Sequence, residues 1–186
     1  TLTSALRVGG EDTDGYDDPS TSETYNGTGW TTGTDLPAIR DYAGAIGSSS
    51  TDAGVAVGET SSSTMVDDTY IWNGSSWATA GCTTTNKGAP GATGTTTAGL
   101  LVGGTTEWPV SFTTITETFD GTSWSNASHA FPASGYQIMV GGAQGSCMAA
   151  CYYDNSTVYA NTYKYDGSAW SASTNYPLTV RQHGGT

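Results

Sequence analysis

Four tryptophans recur at nearly constant spacing, and this spacing constrains the fold more than any other feature of the chain. Trp30, Trp77, Trp124 and Trp170 are separated by 47, 47 and 46 residues. Each tryptophan ends the same short phrase, Ser/Thr-x-x-aromatic-Asn/Asp-Gly-x-x-Trp. A repeat of this period indicates one supersecondary unit that is copied about four times.

Each copy of the unit is predicted to contain four short strands and no helix. Asn-Gly or Asp-Gly before the tryptophan predicts a hairpin, because glycine adopts the positive φ that such turns need. Upstream lies an apolar run that ends in valine and glycine at 6–10, 55–58 and 100–104. A further strand precedes this run and is clearest at 41–47 and 136–142.

The glycine pair, the aromatic residue and the tryptophan, at a period close to the ~50 residues of kelch repeats, resemble the kelch family of β-propellers. The resemblance spans the chain and implies an all-β fold, a kelch-like β-propeller of about four four-stranded blades. Repeat boundaries are predicted near 1–35, 36–82, 83–129 and 130–175.

The two ends of the chain look like parts of one further unit. A basic residue follows three of the tryptophans by ten or eleven positions, namely Arg40, Lys87 and Arg181. Residues 176–186 are therefore predicted to return and complete the first blade, with 178–184 pairing with 4–10. Such a closed ring leaves no exposed sheet edge. The alternative is an open segment of a longer propeller.

Composition argues against two classes of partner. The chain has 17 acidic and 5 basic residues and a net charge of −12, so few cations are present to meet a phosphate backbone. No apolar stretch approaches the ~20 residues that a membrane-spanning helix needs. We therefore expect neither nucleic-acid binding nor membrane insertion.

One acidic segment has the residue pattern of a calcium loop. Asp12, Asp14 and Asp17 place carboxylates at intervals around Gly15, and oxygen ligands of this kind suit Ca²⁺. The final bidentate glutamate of an EF-hand is absent. Calcium is thus the one cofactor that the sequence suggests, and the alternative is a solvated acidic loop.

Aromatic residues outside the repeat pattern are the candidates for ligand contact. An aromatic residue that recurs in every unit is expected to pack between units, so Trp30, Trp77, Trp124 and Trp170 are each predicted to be largely buried against a neighbouring sheet. Four aromatic residues occur once each and fall in or beside predicted loops: Tyr16, Trp108, Tyr152 and Tyr153. These four are the predicted ligand-binding residues.

Two enzymes on related folds were weighed, and neither fits. A galactose-oxidase-like copper site needs two histidines and two tyrosines, but His129 and His183 fall on different predicted elements. The turn phrase resembles the Asp-box of sialidase propellers, although Asp120 and Gly121 are adjacent, which makes the spacing one residue short. We predict no catalytic residues and no enzymatic activity.

The phrase that ends at Trp30, followed by Leu36 to Arg40 and an Ala/Gly-rich strand, resembles kelch-like repeats of large structural and fibre-like proteins of marine phages and bacteria. This resemblance implies a non-enzymatic module on a virion surface or outside the cell, as a structural spike, a tail fibre or an adhesin for host glycans. Its expected partners are other virion or surface-assembly proteins, further copies of itself and a glycan receptor. A secreted carbohydrate-active enzyme, sialidase-like or galactose-oxidase-like, is the alternative.

Overall fold

The computed structural model describes residues 4–10, 20–60 and 62–181. These residues form 17 β-strands in five antiparallel sheets, and none of them lies in a helix. The prediction of an all-β chain is confirmed. The described part also holds no helix that is long and apolar enough to cross a membrane.

The first two sheets are built from consecutive strands. The first sheet has the order β1-β2-β3, and the second has the order β4-β5-β6-β7. The strands of the first sheet are β1 (Ala5–Val8), β2 (Ser22–Tyr25) and β3 (Trp30–Thr32). Those of the second are β4 (Gly44–Ser49), β5 (Asp52–Glu59), β6 (Met65–Trp72) and β7 (Trp77–Ala80).

The remaining strands repeat this plan twice, with one additional hairpin. The next six are β8 (Gly91–Thr95), β9 (Ala98–Val102), β10 (Thr105–Glu107), β11 (Ser111–Phe112), β12 (Thr116–Phe119) and β13 (Trp124–Asn126). The third sheet has the order β13-β12-β9-β8, while β10 and β11 pair separately. The fourth sheet runs β14 (Met139–Ala143), β15 (Ser146–Tyr153), β16 (Val158–Tyr165) and β17 (Trp170–Ser173).

The Asn-Gly and Asp-Gly turns form as the sequence predicts. The turn glycines share a φ between 92° and 95°, at Gly27, Gly74, Gly121 and Gly167. Each turn spans four residues, and the side chain of its first residue accepts backbone N–H groups two and three positions later, as Asp166 does from Ser168 and Ala169. A short polar side chain that caps its own turn explains why Asn or Asp precedes each of these four turn glycines.

Each unit has a backbone kink at one equivalent residue, which lies in or directly after β1, β5, β9 or β15. The kinked residue has a φ of 59° at Gly9, 56° at Val57, 61° at Gly103 and 52° at Cys151. The pairing of β5 with β6 and of β15 with β16 shifts register at this point. The fourth unit keeps this left-handed residue even though cysteine replaces glycine there.

Successive sheets pack on one another and bury the core between them. Strands β4 and β14 both contact β8, so the first-position strands of three sheets lie side by side. One apolar cluster joins Ile46 and Val57 of the second sheet to Leu101, Phe119 and Trp124 of the third. A second cluster joins the third sheet to the fourth.

The four repeat tryptophans occupy equivalent positions, but they are not equally buried. Each begins the last strand of its sheet. Trp124 is 6% exposed and Trp30 is 56% exposed. The prediction that all four are largely buried is therefore wrong for Trp30. Its sheet is the first described, and no earlier sheet of the described chain packs over it.

The C-terminal segment lies on the fourth sheet. The N–H of Tyr176 donates to the carbonyl of Ala160 at 2.9 Å, and Arg181 lies over the ring of Tyr153. Among the described residues, β1 pairs with β2 alone. No described strand pairing joins 178–181 to 4–10, and 182–184 fall outside the described residues, so the closing strand stays a prediction. The corresponding segment of each earlier unit crosses its own sheet in the same way, starting at Leu36, Thr83 and Phe131.

Candidate functional site

A cavity of about 890 Å³ lies along the free edge of β1 and is lined by all four sheets. In the other three sheets, the place beside the corresponding strand is filled by β4, β8 or β14. Its walls are mostly Gly, Ala and Ser, and the formally charged residues among the described lining are Arg40 and Asp41. Arg40 donates to Asp68 and to the Tyr70 hydroxyl, and Asp41 accepts the N–H of Tyr42. Both charged side chains of the described lining are thus engaged by other groups of the protein.

Aromatic side chains from the second sheet, the β10–β11 hairpin and the fourth sheet form a continuous group, which we call the aromatic cluster. The ring of Trp108 lies 5.5 Å from that of Tyr42 and 4.8 Å from that of Tyr136, centroid to centroid. Tyr136 also stacks on Phe112 at 5.2 Å and contacts Tyr153 at 5.4 Å. These rings join loops of three successive units into one surface.

Charged groups bound the aromatic cluster at both ends. The indole N–H of Trp108 donates to Glu59, whose side chain is buried. The guanidinium of Arg181 lies 4.8 Å from the centre of the Tyr153 ring, within range of a cation–π contact. Burial is the main cause that raises the pKa of Tyr136, so its hydroxyl stays protonated at neutral pH. The cluster thus combines aromatic faces, a carboxylate and a cation.

The structure brings together two of the four aromatic residues that the sequence analysis singled out. Trp108 and Tyr153 both belong to the aromatic cluster and are linked through Tyr136. Tyr152 is buried, and its ring stacks on Tyr159 within the fourth sheet, where burial raises its pKa to about 12. Tyr152 is therefore part of the core, because β15 continues past the kink at Cys151 to Tyr153. Tyr16 lies outside the described residues.

Sequence reasoning did not select Tyr42, Phe112 or Tyr136 as site residues. Tyr42 and Tyr136 each precede a first-position strand, which made them look like repeat residues. The sequence offers one signal, namely that Trp108 does not recur at the matching position of the other units. The repeat period stays at 47 residues there, so β10 and β11 take the place of the strand ends that pair beyond the kink in the second and fourth sheets.

No described residue completes the metal sites considered from sequence. Asp12, Asp14 and Asp17, the predicted calcium ligands, lie outside the described residues, as does His183. The ring of His129 contacts the carbonyl of Ser168 in the next turn. Among the described residues, one group could hold a metal ion, namely Asp67, Asp68 and Cys82, whose ligand atoms lie within 4.8 Å of one another. Arg40 already neutralises Asp68.

One fully buried ion pair joins the second sheet, through the segment that follows it, to the third sheet. Lys87 and Glu117 are both 0% exposed and paired with each other. Glu117 also accepts the backbone N–H and the hydroxyl of Thr84, at 2.6 and 2.7 Å. Burial lowers the pKa of Lys87, and the Glu117 carboxylate opposes that shift. These charges fasten the second unit to the third and are inaccessible to a substrate.

The turn carboxylates respond to pH in a predictable direction. Backbone N–H donation from Ala169 and then Ser168 lowers the pKa of Asp166 to about 2, and Asp120 is lowered by the same kind of contact. A carboxyl whose folded pKa is depressed stabilises the fold above its ordinary pKa, and this contribution is lost as the pH falls through the folded pKa. The window therefore extends from the ordinary value of 3.8 down to about 2.

Acidification through this window is expected to lower the melting temperature, and Asp166→Asn should reduce the drop. The amide oxygen accepts the same two N–H groups without titrating, as Asn26 and Asn73 do in the first two units. Thermal melts followed by circular dichroism at several pH values measure the effect. Asn73→Asp is the matched control and should add acid sensitivity. An unchanged drop in Asp166→Asn would contradict this account.

No known family model matches the sequence, and no curated protein matches it. Functional inference for this chain therefore depends on the residues and their geometry.

Proposed function

We propose that this chain is a non-enzymatic module of a virion surface or extracellular surface, folded as a kelch-like β-propeller of about four blades. Four repeated sheets, three of them with their first-position strands side by side, support the propeller arrangement. The resemblance of the repeats to those of phage and bacterial surface proteins supports the location. A net charge of −12 with only 12% charged residues also suits a Thr/Ser/Gly-rich outer surface.

One observation carries the non-enzymatic assignment: the polar groups that could do chemistry make contacts that recur in successive units. The turn carboxylates accept backbone N–H groups of their own turns, as Asp120 does from Thr122 and Ser123. The buried cations Arg40 and Lys87 are paired with acidic residues. Repeated use at one structural position indicates support of the fold, since a catalytic group needs a single special site.

Recognition of a host glycan is the second part of the proposal, and the aromatic cluster supports it. Tyr42 is 39% exposed and packs against Trp108, which places ring faces beside the Glu59 carboxylate. Aromatic faces pack against the C–H face of a sugar. A binding role would use the exposed part of the Tyr42 ring together with the partly exposed ring of Trp108.

A glycan array and a glycoside hydrolase and oxidase screen, both on the intact chain, test the two parts together. We expect no turnover, and we expect glycan binding to fall in Tyr42→Ala but not in Trp30→Ala, which removes an exposed ring outside the cluster. Turnover of a glycoside or oxidation of a sugar would overturn the non-enzymatic assignment. Silence in both assays would contradict glycan recognition and favour a purely structural module.

A further inference from the structure

The indole N–H of each later repeat tryptophan donates a hydrogen bond to the preceding unit. Trp124 donates to the hydroxyl of Thr69 at 2.8 Å, and Trp170 donates to the hydroxyl of Thr116 at 3.0 Å. Trp77 donates to the carbonyl of Thr34 at 2.9 Å. Two successive junctions therefore share an indole–hydroxyl hydrogen bond, and at the first junction the indole meets a backbone carbonyl instead.

A second contact also recurs at every junction. The residues that follow each sheet donate to a carbonyl in the hairpin turn of the next sheet: Thr34 to Ser75, Gly81 to Thr122 and Ser128 to Ser168. At two junctions a cation adds a third contact, since Arg40 reaches Tyr70 and Lys87 reaches Glu117. Tyr70 and Glu117 each stand seven residues before their tryptophan.

The first unit carries one half of this junction without a partner from the described chain. Trp30 is 56% exposed, and its turn residue Thr28 is also exposed. Glu23, seven residues before Trp30, corresponds to Glu117 and is paired with Arg7 of its own sheet at the surface. We call Glu23, Thr28 and Trp30 the leading face.

The fourth unit carries the other half. Met148 is 45% exposed, whereas Leu100, at the same register position of the third sheet, is 0% exposed beneath the fourth. Tyr176 is 41% exposed, whereas Phe131 at the equivalent position is 2% exposed. Arg181 stands eleven residues after Trp170, where Arg40 and Lys87 stand ten after theirs. We call Met148, Tyr176 and Arg181 the trailing face.

We propose that the leading face of one copy of this chain docks on the trailing face of a second copy. The two faces match by the rules of the internal junctions: Trp30 covers the face that carries Met148, the equivalent of the covered Leu100, and Arg181 meets Glu23. No hydrogen bond, ion pair or ring contact among the described residues joins the first sheet to the fourth, and Trp30, Met148 and Tyr176 remain 56%, 45% and 41% exposed. A contact between two different faces is head-to-tail and builds rings or linear chains of copies.

Sedimentation of the intact chain over a wide concentration range tests the docking. We expect assemblies of more than one copy, and we expect Trp30→Ala to weaken association about 30-fold or more, as for a tryptophan at the centre of an interface. Val110→Ser is the control, because Val110 is 70% exposed and lies on neither face. A chain that is monomeric at every concentration would overturn the proposal. A monomer whose own fourth unit covers Trp30 would count as that outcome.

Two further variants separate head-to-tail docking from other association. Met148→Asp disables the trailing face, so it should be monomeric alone, as Trp30→Ala should be. A mixture of the two should form a dimer and nothing larger, since each retains one intact face.

The charge exchange Glu23→Lys with Arg181→Glu should recover association that either single change weakens. A mixture that stays monomeric, or an exchange without recovery, would contradict the pairing. The docking depends on the repeat contacts, whereas the glycan test uses Tyr42, which lies on neither face, so each proposal can fail alone.

Discussion

Lys87→Met is expected to lower the free energy of unfolding by about 3–5 kcal/mol. Lys87 and Glu117 are both 0% exposed, and the change leaves the Glu117 carboxylate buried without its counter-charge. The hydrogen bonds from Thr84 remain, but they do not supply a full charge. Urea denaturation of the intact chain measures the loss, with one m value, the slope of the free energy of unfolding against urea concentration, used for all variants.

The double variant Lys87→Met/Glu117→Leu is the control for this ion pair. Replacing both charges with apolar groups is expected to be near neutral, because the desolvation cost disappears together with the attraction. Glu117→Gln should be destabilising at neutral pH and less so at alkaline pH. The reason is that burial already lowers the pKa of Lys87, and a lysine with a depressed folded pKa makes stability rise with pH. A double variant as unstable as Lys87→Met would contradict the argument.

Trp124→Ala is expected to destabilise the chain by about 3–5 kcal/mol, as truncation of a buried large aromatic does. Trp124 is 6% exposed, stacks on Phe119 at 4.9 Å and donates to the hydroxyl of Thr69 in the preceding unit. The change therefore opens a cavity and leaves that hydroxyl without its donor. The same denaturation experiment measures the loss.

Trp30→Ala supplies the matched comparison at the equivalent position. Trp30 is 56% exposed and packs on Tyr25 of the neighbouring strand, so its loss should cost about 1 kcal/mol or less when the chain is kept dilute enough to be monomeric. Trp124→Phe should fall between the two, since it keeps most of the ring volume and loses the indole donor. Equal losses for Trp30→Ala and Trp124→Ala would show that burial between units does not set the difference.

Local sequence predicted the strands and turns well because their causes are local. The hairpin before Trp124 follows from Asp120 and Gly121, which supply the cap and the positive φ without help from the rest of the chain. The positions of the tryptophans at the start of the last strand follow from the same turn. The repeat period then transfers these features to all four units.

Burial and side-chain partners were harder to predict because they depend on neighbouring units. The spacing of Lys87 after its tryptophan was visible, but its partner Glu117 stands 30 residues away and meets it only when sheets stack. Trp30 was expected to match Trp124, although its exposure depends on whether another unit covers it. The sequence places Tyr152 in or beside a loop, whereas β15 continues to Tyr153 because Cys151 adopts the left-handed kink within the strand.

The indole contact between successive sheets also bears on how such a chain can change length. Each unit touches its neighbours through the same pair of surfaces, as Trp124 on Thr69 and Trp170 on Thr116 illustrate. In arrays of this kind, stability is close to a sum of single units and nearest-neighbour terms. Recombination that duplicates or deletes one whole unit therefore conserves every remaining junction, so unequal crossing-over between repeats can alter the number of units without requiring compensating substitutions.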